Sequence, residues 1–97
     1  MNQQTPGPIV VRHNLAEQRF ETEVDGHRAV AEYKLDGDRM IFTHTFVPPE
    51  LRGRGIAEKL VRPALDWARG EKRSVVPACS YVATFIERHD EFKDLLT

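Results

Sequence analysis

Along the first half of the chain, apolar and polar positions alternate with a period of two. In residues 19–24, Phe20, Thr22 and Val24 oppose Arg19, Glu21 and Glu23. In residues 27–35, Ala29, Ala31, Tyr33 and Leu35 oppose Arg28, Glu32 and Lys34. This period predicts strands with one buried face. A shorter β-rich run, Ile9-Val10-Val11-Arg12-His13, precedes them. Residues 39–47 alternate as well: Met40, Phe42, His44 and Phe46 share one face, and Ile41, Thr43, Thr45 and Val47 the other. Neither of those faces carries a charge, which predicts a strand covered on both sides. Asp25-Gly26 and Asp36-Gly37 are pairs that two-residue hairpin loops favour, because glycine takes a positive φ without steric cost. They predict three consecutive antiparallel strands. Pro48-Pro49 closes the last of these, since proline cannot donate to the ladder.

Beyond Pro49 the period changes. Ala57, Leu60, Val61, Ala64, Leu65 and Ala68 recur at helical spacing and predict a helix over residues 55–69. Pro63 lies inside that pattern, where it removes a backbone donor and is expected to bend or strain the helix. Gly70 is the expected C-cap. Residues 73–79 read as a short strand around Ser74-Val75-Val76. Residues 80–89 read as a second helix with Val82, Phe85 and Ile86 inward, and residues 90–96 as a final turn or short helix. The predicted order is β-β-β-β-α-β-α.

Ninety-seven residues make one domain, able to fold alone with little margin. A net charge of −1 argues against a general nucleic-acid binder. The apolar runs fall far short of the ~20 residues a membrane span needs. Neither nucleic acid nor membrane is therefore an expected partner. Residues 1–8 lack the basic and apolar regions of a signal peptide and read as a disordered lead-in. The single cysteine, Cys79, cannot form an internal disulfide, which points to a cytoplasmic setting. Charge is unevenly spread. From Glu50 to Arg73 seven basic residues stand against four acidic ones, a surplus of three. That surplus is either a solvated helix face or a local attraction for an anion.

One segment carries candidate chemistry. Two glycines one residue apart, Gly53 and Gly55, allow a ligand close to the backbone. They lie where a helix begins, and the first amides of a helix are unpaired at the positive end of its dipole. That combination binds phosphate. Arg52-Gly53-Arg54-Gly55-Ile56-Ala57 resembles the Arg/Gln-x-x-Gly-x-Gly/Ala signature of the GNAT acetyltransferases, in the place where that family has it. The resemblance spans about residues 19–95. It is nearest the very small YidJ-type proteins, which share an Arg-Gly-x-Gly-Ile segment and a later Pro-x-Cys segment, here Pro77-Ala78-Cys79.

The resemblance implies a GNAT-like α/β fold with a mixed, mostly antiparallel sheet. It implies that Val47 and the amides of Arg52, Gly53, Arg54, Gly55, Ile56 and Ala57 bind acetyl-coenzyme A, with the pyrophosphate on the loop. The pantetheine arm would lie between splayed strands that end at Val47 and near Cys79. The chain departs from the family in two respects. Asp25-Gly26 leaves no room in the first hairpin for the helices that build the acceptor wall. The family's general-acid tyrosine falls on Glu87 and its asparagine on Ser80, with Tyr81 displaced by more than a turn.

Two catalytic candidates remain. His44 is either a hydrogen-bonded core residue or a general base. Cys79 is either a small buried hydrophobe or a thiolate that accepts the acetyl group. His13, His27 and His89 show no metal-ligand spacing with Cys79, so no metal is expected. The expected activity is acetyl-coenzyme A-dependent acetylation of an amine by a monomer or weak dimer. A peptide or protein amine is favoured, because an open groove offers a small amine few contacts. The alternative is a coenzyme A-binding module that acts through a protein partner.

Overall fold

The alternating segments pair into a five-stranded sheet of order β1-β2-β3-β4-β5 in a computed structural model that describes residues 9–96. The expected disordered lead-in, residues 1–8, lies outside the described residues. The strands are β1 (Arg12–Asn14), β2 (Arg19–Val24), β3 (His27–Asp36), β4 (Arg39–Phe46) and β5 (Ser74–Pro77). The first four are antiparallel, and β5 joins β4 in parallel. β1 is shorter than the β-rich run that announces it.

The two glycine-containing hairpin loops differ. Asp25 and Gly26, at φ 53° and 79°, form the loop between the paired Val24 and His27, as the sequence predicts. In the second hairpin Asp36 pairs with Arg39, so the loop is Gly37-Asp38 rather than Asp36-Gly37. Only Gly37 of that pair takes a left-handed φ.

The strand register contains the main correction to the sequence reading. Glu32 faces His44, yet the next residue of β3, Tyr33, faces Phe42. Thr43 is therefore an extra residue, a β-bulge, and everything after it changes face. Met40 and Phe42 are buried on the core side, as expected. His44 and Phe46 instead turn to the opposite face beside Glu32 and Val30, and both are exposed. Thr45 takes the core side, opposite Ala31. Nor is β4 covered twice: Thr43 and His44 are exposed, and the described residues place no helix over that face.

Helix α1 (Ile56–Gly70) covers the core face with Ile56, Leu60, Val61, Ala64, Leu65 and Ala68, all buried. Each fully buried large aliphatic side chain contributes roughly 1.5–3 kcal/mol. The helix continues through Pro63, whose missing donor removes one ladder bond. Its end is set by Lys72 at φ 58°, not by Gly70. Lys72 N–H donates to the Arg69 carbonyl at 3.0 Å and Arg73 N–H to the Ala68 carbonyl at 2.9 Å. This is a Schellman closure with lysine at the left-handed position.

Helix α2 (Ser80–Glu87) and a 3₁₀ segment, Asp90–Leu95, complete the core through Val82, Phe85, Ile86, Phe92 and Leu95. The Arg62 guanidinium lies 5.5 Å from the ring centres of both Phe85 and Phe92, which ties α1 to the C-terminal elements.

Candidate functional site

The site lies where β4 and β5 part. Their pairing ends at Phe42 and Pro77, followed by one last bond from Cys79 N–H to the Phe42 carbonyl at 2.9 Å. Past that point β4 bulges at Thr43, Pro77 has no amide hydrogen to donate, and the chain after β5 turns into α2. Regular pairing ends there, which leaves a fork between Thr43–Phe46 and Ala78–Cys79 that the Cys79 side chain bridges at Thr45.

At the C-terminal end of β4 the chain makes a 3₁₀ turn, Pro49–Leu51, anchored by the buried Leu51. Arg52 is extended, and Gly53 and Gly55 follow at φ 84° and 71°. A side chain would be strained at either glycine, although the space around each is open. Arg52 Nε donates to the Val47 carbonyl at 3.0 Å, and Arg54 reaches Asp25 of the neighbouring hairpin loop at 3.3 Å. The first helical bond of α1 runs from Lys59 N–H to the Gly55 carbonyl. The amides of Ile56, Ala57 and Glu58 therefore have no acceptor within the helix. A groove of about 550 Å³ adjoins this helix start; its lining joins Arg54, Lys59 and Arg62 to the acidic Glu58 and to Ile9 and Val11 ahead of β1.

The basic surplus of this region is mostly structural. Arg62 pairs with Glu58 and Glu91, Arg69 with Asp94, and Arg73 donates to the Gly37 carbonyl. At the loop itself Arg54 is paired with Asp25 and Arg52 with the Val47 carbonyl, and among the described residues Lys59 makes no ion pair.

The half-buried Cys79 caps the N-terminus of α2, and its thiol donates to Thr45 Oγ1 at 3.4 Å. Burial alone would raise the thiol pKa. The Thr45 hydroxyl and the amides of Val82, Tyr81 and Thr45 outweigh it, so the pKa lies below the ordinary thiol value. Thr45 has no role in the sequence reading. It reaches the sulfur only because the bulge turns it inward, and no residue pattern announces a bulge there.

His44 does not meet Cys79. It lies on the opposite face, stacked on Phe46 at 6.3 Å between ring centres. The displaced Tyr81 sits at the start of α2, where burial and then the charge of Glu58 raise its phenol pKa.

A mixed sheet that forks after its fourth strand, with a glycine-rich helix start beside the fork, defines an N-acetyltransferase architecture. A family model described as GCN5-related N-acetyl-transferase matches residues 19–95, and the chain belongs to that family. Among its relatives is Protein NATD1 of mouse, 35% identical over 86 residues, covering 86% of this chain and 78% of the relative. Human Protein NATD1 is 34% identical, covering 84% and 75%. The solution structure of a GCN5-like protein from Staphylococcus aureus superposes with a TM-score of 0.73. It covers 91% of this chain and 87% of its own, at 24% identity.

Proposed function

We propose that this chain transfers the acetyl group of acetyl-coenzyme A to a polypeptide amine, with Cys79 as covalent carrier and His44 as base. The observation that carries the proposal is the fork itself. It has a helix start with unpaired amides at one end and a thiol of lowered pKa at the other. The free amides at the start of α1, with Arg52, Arg54 and Lys59 around them, suit a pyrophosphate.

Cys79 and His44 flank the fork from opposite faces of the sheet. The Cys79 thiolate forms a bond to the acyl carbon, the carbon–sulfur bond to coenzyme A breaks, and the departing thiolate takes up the proton that Cys79 lost. An amine entering from the open face gives its proton to His44 and attacks the acyl-Cys79 carbon. The amide forms, and the Cys79 thiolate is released.

A polypeptide acceptor follows from the open site. Neither the Leu15–Gln18 link nor the Asp25-Gly26 loop holds a helix to wall it in. A long substrate can supply from its remote parts the orienting energy that a small amine lacks. The same openness favours a second reading, a coenzyme A-binding module completed by a partner.

Acetyl-coenzyme A at a hundredfold excess over Kd is expected to stabilise the fold by about 2.7 kcal/mol, roughly 10 °C in Tm. Mass spectrometry is then expected to find an acetyl adduct on the wild type and none on Cys79→Ala. Full peptide turnover by Cys79→Ala would reject the carrier and leave direct transfer. Binding without turnover of any amine would establish the module.

A further inference from the structure

On the open face of the sheet, the register places Val30 opposite Phe46 and Glu32 opposite His44, so that the four side chains form one contiguous block. The charge balance beside this block is unusual. On β2 the carboxylate of Glu21 holds two arginines, Arg12 at 2.7 Å and Arg19 at 2.6 Å. Arg19 is the register partner of Glu32, but it turns its Nε to Glu21. Its field reaches Glu32 along with Glu17, and no ion pair of 4.0 Å or less among the described residues includes Glu32. Glu32 is nevertheless half-buried. Arg19 thus acts on Glu32 only from a distance, and the carboxylate keeps the capacity to take a cation in direct contact. Beside it, Phe46 is 43% exposed, and its ring continues that of His44 at an interplanar angle of 12°.

We infer that Glu32, with Phe46 and Val30, is the acceptor subsite, which binds a primary ammonium carried on an apolar stem. This rests on the acyl transfer proposed above, because the block adjoins the fork through His44. Glu32 anchors the ammonium, and Phe46 and Val30 cover its stem. The ammonium passes one proton to His44, the freed nitrogen forms its bond to the acyl carbon, the carbon–sulfur bond breaks, and the departing sulfur takes the second nitrogen proton to leave as the Cys79 thiol. Glu32 is thus a positioning residue, whereas His44 is the group that takes the proton. Both an α-amine beside an apolar first residue and a lysine side chain present this chemistry.

The test measures peptide binding by NMR titration without coenzyme, using one sequence in three forms. One has a free α-amine and no lysine, one is N-acetylated and carries a lysine, and one is fully blocked. At least one cationic form is expected to shift the Glu32, His44 and Phe46 amides and to bind about tenfold tighter than the blocked form. Whichever cationic form does so identifies the amine source. Glu32→Gln is expected to erase that difference and Glu32→Asp to keep part of it. Equal binding of all three forms overturns the inference, as does a difference that survives Glu32→Gln. Because coenzyme is absent, failure to bind acetyl-coenzyme A would refute the transferase reading and leave this result standing.

Discussion

Glu21 is buried on the otherwise open face, and the Arg12 and Arg19 guanidiniums lower its pKa from 4.5 to about 2. A depressed carboxylate contributes stability that is fully present above the unfolded pKa and lost as pH falls through the folded one. The window for Glu21 therefore runs from about pH 4.5 to about pH 2. His13, stacked on Phe20 at 4.0 Å and 2.6 Å from the Tyr33 hydroxyl, has its pKa lowered by burial. It contributes above pH 6.5 and loses that contribution on acidification. Tm is expected to decline in two stages, the first below pH 6.5 and the second below pH 4.5. Asp94 beside Arg69 and Asp90 beside Lys93 add to the second stage, but these exposed pairs are screened by salt. In high salt, Glu21→Gln is expected to flatten most of the second stage and leave the first intact. A Tm profile for Glu21→Gln that superposes on the wild type would contradict this assignment.

The helix start and the bulged strand make the site. Gly55 occupies a left-handed conformation, with nothing within 4 Å of where a Cβ would stand. An L-residue there costs roughly 1–2 kcal/mol, least for asparagine, whose side chain can bond locally. Gly55→Asn is therefore expected to fold with a Tm within several degrees of wild type. A side chain at this position is expected to hinder close approach of the pyrophosphate to the backbone, so the stabilisation by acetyl-coenzyme A should fall. Retention of the full ligand-induced shift would remove the loop from the site. This element is legible from the sequence because glycine spacing and helix period are local signals. The bulge at Thr43 is not. The alternation of residues 39–47 reads equally well without it, and it becomes visible only when β4 must pair with β3.

The whole molecule is closed by side chains that look like ligand cations in the sequence. Arg62 sits against Phe85 and Phe92 and pairs with Glu58 and Glu91, while Arg69 holds Asp94. Arg62→Ala is expected to lower Tm clearly, through lost packing as well as lost charge. Lys59→Ala, at the same groove, should leave Tm nearly unchanged and weaken acetyl-coenzyme A binding. Reversal of that order in thermal melts would show that the clamp is unimportant. No helix among the described residues is long and apolar enough to cross a membrane. Among the described residues the sheet presents one face to the helices and leaves the other uncovered, with His44, Phe46 and the half-buried Glu32 side by side on it.

The sequence by itself determined the element order, the Asp25-Gly26 hairpin, the buried stripe of α1 and the glycine loop at its start. These rest on short-range periodicity and on backbone conformations that few residues adopt. Tertiary structure alone decided which face each catalytic candidate occupies. One unpaired residue at position 43 inverts the strand after it, so His44 leaves the core and Thr45 turns toward Cys79. It also decided which cations remain beside the loop. Apart from the local Arg62–Glu58 pair, Arg62, Arg69 and Arg73 find partners 22 to 36 residues away, at separations that no local pattern encodes.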